Sequence, residues 1–264
     1  MLHVEERPVG QSALSPYVEG YGIMRIGQAS VFEKPLLAWP GASWMFANQP
    51  FAMAGERFGR SSVSGIREQP INFSWQVDPL EVLAVKCAPF GLFHFTDLPV
   101  GDLVNRTLPV EEVFPDWTAV DRAKDLPVEE RLRHIESFLL ERLRPASPTD
   151  LLLFAFLNCI RQDPSIDLPT LRPMLPMSDR QLQRKLKRMV GVSLTTFVRI
   201  CRFFHAKSKL LTTGRDRLTD HGYEAGYFDQ AHFTKEFRHF ASQSPKHFPA
   251  GFPVFDLLAG RAED

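Results

Sequence analysis

The chain has 264 residues, is 44% hydrophobic and 23% charged, and carries no formal net charge at pH 7. This composition excludes a disordered or fibrous protein, and the length favours two domains. No apolar run reaches the roughly 18 residues of a membrane span, and the N-terminus lacks the pattern of a secretory signal, so we expect no membrane segment. The three cysteines are far apart and form no disulfide framework, so we expect a cytoplasmic protein.

The first predicted elements are short β-strands. Between about residues 17 and 100, apolar or alternating runs such as WPGASWMF, INFSWQV and LEVLAVKCAPF are separated by Pro, Gly, Asn and Asp. Short strands between frequent turns are typical of a sandwich or barrel. Four aromatic residues in these runs either line a ligand pocket or, as we favour, fill the core of the sandwich. They are Trp39, Trp44, Phe46 and Trp75.

The hydrophobic period changes near Pro127. Leu132, Ile135 and Leu139 recur at helical spacing in VEERLRHIESFLLERLR, which predicts a helix over 127–144. This helix either forms a dimer through that stripe or, as we favour, packs on its own β-rich domain. The segment PASPTD, residues 145–150, is predicted to be a linker in which Thr149 or Asp150 caps the next helix. We therefore predict a β-rich domain over 1–144 and an all-α domain over 151–256, an α+β fold class.

The helical half contains an internal repeat. SDRQLQRKLKRMVGVSLTTF, which begins at Ser178, aligns with DQAHFTKEFRHFASQSPKHF, which begins at Asp229, at an offset of 51 residues. The offset matches helix caps, apolar positions and basic positions together, so one structural unit is used twice. Ser178 with Gln181 forms a predicted capping box, and Asp229 is the equivalent cap. The intervening segment 193–211 is predicted to be one continuous helix.

Each repeated helix has an apolar and a basic face. Leu182, Leu186 and Met189 form the predicted inner stripe of the first copy, and Phe233, Phe237 and Phe240 form that of the second. Basic and amide side chains occupy the opposite faces, and a short element precedes each copy, which is the order of a helix-turn-helix. The charges agree: residues 1–150 hold 14 Lys and Arg against 20 Asp and Glu, a net of −6, whereas residues 151–264 hold 17 against 11, a net of +6. A basic half favours a polyanionic partner.

At these residues the chain resembles the AraC/XylS family of transcriptional regulators. The resemblance covers about 151–250 and is sharpest in GYFDQAHFTKEFRHFASQSPKHF, with Arg202, Ala206 and Leu210 matching the central helix. It implies two helix-turn-helix units joined by a long helix, with double-stranded DNA and RNA polymerase as partners. No cofactor is predicted. The implied DNA-binding residues are Arg180, Gln183, Arg184, Lys187, Gln230, His232, Lys235 and Arg238.

The chain departs from the family pattern at both support helices. Pro173 and Pro176 lie in the first unit, where proline inside a helix costs about 3 kcal/mol, so its first helix is expected to be short or distorted. In the second unit, Gly222 predicts a less rigid support helix. The two prolines motivate the alternative that the chain is a protein-interaction module that kept the scaffold and lost specific DNA binding.

The N-terminal 144 residues resemble, more weakly, the sensing or dimerising domain of some family members. This resemblance implies a small-molecule effector, a homodimer, or both. His94 stands alone in GLFHFTD, and the three cysteines form no metal-ligand spacing, so no metal is predicted. No nucleophile, phosphate-binding or dinucleotide motif is present, and the chain is not predicted to be an enzyme. Cys87 and Cys201 are expected to be buried core residues.

Overall fold

Two antiparallel sheets make up most of the N-terminal half. The computed structural model describes residues 2–26, 30–53, 56–77, 80–117, 125–213 and 218–248, without the side chains of some strand residues, Trp75 among them. Within these ranges, one sheet has six strands in the order β1-β2-β9-β4-β7-β10, and the other has four in the order β3-β8-β5-β6. The strands are Leu2–Pro8, Val18–Ile26, Ser30–Leu36, Ser43–Ala47, Phe51–Met53, Glu56–Phe58, Ser61–Ser64, Ile71–Val77, Leu80–Cys87 and Thr107–Pro109, numbered β1 to β10.

The centre of the larger sheet is buried on both faces. Every residue of β4 is buried, and β9 is buried except for Glu81. Trp44 on β4 packs against Phe114 and Trp117, at ring-centre distances of 4.4 and 6.2 Å. The apolar runs of β4 and β9 are thus sheet core, and the predicted β-rich class is confirmed.

The described helices, numbered α1 to α8, are Val110–Val113, Val128–Arg142, Pro148–Gln162, Leu168–Leu171, Asp179–Met189, Leu194–Thr213, Leu218–Glu224 and Gln230–Ala241. Helix α6 runs without a break, as predicted, and its 20 residues span about 30 Å. Among the described residues, no helix is long and apolar enough to cross a membrane.

Helix α2 packs on the six-stranded sheet of its own β-rich half. Leu132, Ile135 and Leu139 are buried in the core, and Phe138 lies 6.5 Å from Trp44 between ring centres. The Tyr21 hydroxyl on β2 donates a 2.8 Å hydrogen bond to Glu136. The favoured prediction is therefore confirmed, and dimerisation through this stripe is wrong because the same chain already covers it.

Helix α3 begins earlier than the sequence predicted. Ser147, not Thr149 or Asp150, is the N-cap, and its hydroxyl accepts a hydrogen bond from the Asp150 amide. The Asp150 carboxylate accepts in return from the Ser147 amide, which completes a capping box. Pro148 then occupies the first helical turn, where its missing N–H leaves no bond unmade.

The two halves share a continuous apolar core. Phe154 on α3 stacks on Phe90 with ring centres 3.4 Å apart, and Tyr17 lies edge-on to the Phe154 ring. Cys87 and Cys201 are buried, as predicted, and burial raises the pKa of both thiols, that of Cys87 to about 12. Packing therefore crosses the predicted boundary at 145–150, and the domain limits themselves stay a prediction.

Candidate nucleic-acid interface

Two helix-turn-helix units are built from the repeated segments. The first comprises α4, a 3₁₀ turn over Arg172–Met174, and α5; the second comprises α7 and α8. Helix α6 connects them. The predicted order of support helix, turn and second helix is thus present twice.

Both predicted helix caps are present. The Ser178 hydroxyl accepts from the Gln181 amide, and the Gln181 side chain accepts a 2.8 Å bond from the Ser178 amide. The Asp229 carboxylate accepts a 2.7 Å bond from the His232 amide at the start of α8. These bonds satisfy backbone donors that would otherwise lack partners at the helix start.

The predicted inner faces are core. Leu182, Leu186 and Met189 of α5 are buried, and so are Phe233, Phe237 and Phe240 of α8. Phe237 lies 5.1 Å from Phe203 of α6, measured between ring centres, which joins α8 to the central helix. Burial of these stripes fixes which face of each helix points away from the core.

The opposite faces carry the predicted binding residues. Arg180, Gln183, Arg184 and Lys187 on α5 are exposed, as are Gln230, Lys235 and Arg238 on α8, whereas His232 is half-buried. Within the described ranges, Arg180, Gln183 and Arg184 form no side-chain hydrogen bond or ion pair, so their donors face solvent. Lys187 differs, because its ammonium donates a 2.8 Å hydrogen bond to the Gly191 carbonyl.

An ion pair couples α8 to the central helix. Glu236 is 8% exposed, and its two carboxylate oxygens accept hydrogen bonds of 2.6 and 3.0 Å from the Arg199 guanidinium on α6. Burial raises the pKa of Glu236, but the hydrogen bonds and charge of Arg199 outweigh it and hold that pKa below its ordinary value of 4.5. A bidentate pair of this kind fixes the orientation of α8 on α6.

Proline shapes the first support element as predicted. Helix α4 has only four residues and gives way to a 3₁₀ turn that contains Pro173. The sequence did not reveal how the turn is stabilised: the Arg172 guanidinium donates to the carbonyls of Leu175 and Met177 and pairs with Asp179. One side chain thereby replaces backbone hydrogen bonds that a longer helix would provide.

Glycine in the second support helix has a packing role. Gly222 is buried, and a Cβ at this position would lie 3.1 to 3.3 Å from atoms of the Phe233 side chain. The residue thus permits close approach of α7 to α8. The lower rigidity of α7 that Gly222 implies stays a prediction; what the glycine provides is room for the Phe233 side chain.

The first unit also contacts the N-terminal half. The Arg188 guanidinium lies 5.2 Å from the centre of the Phe93 ring, a cation–π contact. Gly191 has φ +91°, and a Cβ there would lie 2.7 Å from a methyl carbon of Val104. The contacts involve the C-terminal end of α5, and the outer residues Arg180 and Arg184 nearer its start stay exposed.

Three of the four aromatic pocket candidates are buried. Trp44 and Phe46 are buried, Trp39 packs edge-on against Phe204 of α6 at 5.1 Å between ring centres, and the Trp75 side chain lies outside the described residues. A cleft of about 170 Å³ opens elsewhere, and its described walls include Phe58, Arg67, Ile71, Asn105, Thr107 and Leu108 but not Trp39, Trp44 or Phe46. A role for the four in ligand binding stays a prediction.

His94 has a structural partner. Its Nδ1 lies 2.6 Å from the Arg144 carbonyl oxygen, which ties the loop after β9 to the segment that follows α2. Burial lowers the pKa of His94. Within the described residues, no group of three or more His, Cys, Asp or Glu side chains is arranged to hold a metal ion.

Comparison with known proteins identifies the helical half. A family model described as a helix-turn-helix domain matches residues 173–250, the segment that contains both capped helices. No curated protein matches the chain. The fold is similar to ToxT from Vibrio cholerae, at 12% identity and a TM-score of 0.48 over 91% of this chain and 98% of that one. A ToxT structure with bound unsaturated fatty acid gives 12% identity and a TM-score of 0.45 over 94% and 98%.

These structural similarities are too distant to assign the function of ToxT to this chain. The family match and the two-unit geometry agree on a helix-turn-helix segment. Residues 173–250 of this chain match a helix-turn-helix family model of the AraC type.

Proposed function

We propose that the chain regulates transcription by binding a specific duplex DNA sequence through the outer faces of α5 and α8. The observation that carries this proposal is the exposure of Arg180, Gln183 and Arg184 on a capped helix whose opposite face is core. Arginine pairs with the major-groove edge of guanine, and glutamine pairs with that of adenine. Gln230 and Lys235 are likewise exposed on α8 and form the second group of base-contacting residues in this proposal.

The remaining basic residues suit contacts with the phosphate backbone. Lys187 and Arg238 lie in the last turns of their helices, farther from the N-terminal turns that enter the groove in a helix-turn-helix. Phosphate contacts position a protein on the duplex without reading its sequence. His232 is half-buried and sits 5.4 Å from the Tyr227 ring, so it reaches DNA, in this proposal, only at its exposed edge.

The length of the central helix α6 is suited to placing α5 and α8 on one face of the duplex. Its length of about 30 Å approaches the roughly 34 Å of one DNA turn. The Arg199–Glu236 pair holds α8 against this rod. Successive major grooves on one side of the duplex are therefore the proposed binding site.

The N-terminal half is proposed to modulate this binding. Its contact with the first unit, Arg188 on Phe93, gives a bound effector or a second copy of the chain a physical route to α5. RNA polymerase is the proposed target of the DNA-bound protein.

The experiment is selection of duplexes from a random pool by the full chain, followed by affinity measurement for Arg184→Ala. We expect the variant to lose about 1–3 kcal/mol on the selected sequence and to relax the base preference at one position. Arg133→Ala is the matched control, since Arg133 is an exposed arginine on α2. An equal loss on every sequence would show that Arg184 touches phosphate only.

The alternative function is a protein-interaction module on the same scaffold. The short α4 and its proline-containing turn favour it, because they alter the support of the first reading helix. This alternative would be favoured if the selection enriched no sequence and if the affinity of the chain for duplex DNA did not change with salt concentration.

A further inference from the structure

One aromatic side chain of the second unit is left in solvent. Phe228 is 86% exposed, whereas Phe233, Phe237, Phe240 and Phe248 in the same unit are at most 1% exposed. Burial of a phenylalanine is strongly favourable, and the folded chain gains almost none of that benefit at Phe228. The side chain therefore adds little to the fold of the isolated protein.

The turn that carries Phe228 is held on both sides. The Tyr227 amide donates a 3.0 Å hydrogen bond to the Gly222 carbonyl, and the Tyr227 ring is buried against Phe233. Asp229, the next residue, caps α8. Because both neighbours are fixed, Phe228 is presented from an ordered turn, which limits the entropy lost on binding.

This position differs between the two units. The repeat offset of 51 residues places Met177 at the equivalent place in the first unit. Met177 is only half-exposed, and its carbonyl accepts a hydrogen bond from Arg172. An exposed ring at this place is therefore a property of the second unit and not of the scaffold.

The surroundings of Phe228 favour DNA as its partner. Gln230 follows two residues later, and the exposed face of α8 carries Lys235 and Arg238, whose charges attract phosphates. In the major groove, the apolar group available to a phenylalanine is the 5-methyl of thymine.

We propose that Phe228 contacts the 5-methyl group of a thymine in the major groove and so adds a specificity-determining residue to the second reading unit. The inference rests on the proposed function. It assigns one base preference to the turn before α8, outside the helix faces that the repeat identified.

The test replaces each thymine of the selected duplex by deoxyuridine, one at a time, which removes only the methyl group. We expect one replacement to weaken binding of the unaltered protein about fourfold, the effect of one buried methylene-sized group. Phe228→Ala should bind the thymine duplex about as weakly as the unaltered protein binds that uracil duplex, and should not distinguish the two. Met177→Ala, the matched control, should keep the discrimination.

Two results would overturn this inference alone: insensitivity of the unaltered protein to every replacement, or unchanged discrimination by Phe228→Ala. A third result would also overturn it: Phe228→Ala binds DNA with full affinity but no longer supports transcription by purified RNA polymerase. The ring would then contact protein and not DNA. Failure to select any duplex would instead overturn the proposed function on which the inference depends.

Discussion

Replacement of Phe237 by alanine tests the inner face of α8. The ring is fully buried and lies 5.1, 5.7 and 5.3 Å from the rings of Phe203, Phe233 and Phe248, in each case edge-on. Removal of a buried phenylalanine costs about 3–5 kcal/mol, and each aromatic pair contributes about 0.5–1.5 kcal/mol beyond buried area. Three such pairs place Phe237→Ala at the upper end, about 4–5 kcal/mol.

Urea unfolding of the full chain, followed by circular dichroism, measures this loss of unfolding free energy. The melting temperature should fall by roughly 10 °C. Phe228→Ala is the matched control: it removes the same ring from an exposed site and should change stability by less than about 0.5 kcal/mol. Equal unfolding midpoints for the two variants would refute the assignment of the phenylalanine stripe to the core.

Three further predictions follow from the caps, the ion pair and the thiols. Ser178→Ala should destabilise the chain by about 1 kcal/mol in urea unfolding, because it removes the α5 capping box, and Ser137→Ala, at an exposed serine inside α2, is the matched control. Glu236→Gln should cost about 1–2 kcal/mol at pH 7, at the lower end for a charged hydrogen bond because Arg199 is 37% exposed. The folded pKa of Glu236 lies below 4.5, so the difference from the unaltered protein should persist above that pH and shrink as pH falls through the folded pKa; a difference independent of pH would contradict the pairing. A thiol reagent should modify Cys159 first in the native protein and all three cysteines only in urea; simultaneous native labelling would show that the other two are accessible.

Local features of the helical half were predictable from sequence. The caps at Ser178 and Asp229 and the stripes around Leu186 and Phe237 depend on residues three or four apart, and the structure contains all of them. The short α4 followed from proline chemistry in the same way. The start of α3 was missed because Ser147, Thr149 and Asp150 are all capable of capping, and only the position of the following helix chooses among them.

Contacts between distant parts of the chain were not predictable. Arg199 and Glu236 are 37 residues apart, and nothing near either residue marks the pair. Phe93 and Arg188 come from different halves, and their contact depends on how α5 is placed on the sandwich. The strand order β1-β2-β9-β4-β7-β10 is likewise set by pairing between remote segments, which short alternating runs do not encode.

The salt dependence of DNA binding tests the central claim most directly. Fluorescence anisotropy of a labelled selected duplex, titrated with the full chain, gives the affinity at each salt concentration. If basic residues of α5 and α8 neutralise two to five phosphates together, log affinity should fall linearly with log salt, by roughly ten- to several-hundred-fold between about 50 and 200 mM. An affinity that changes less than about threefold over this range would contradict DNA binding through these faces.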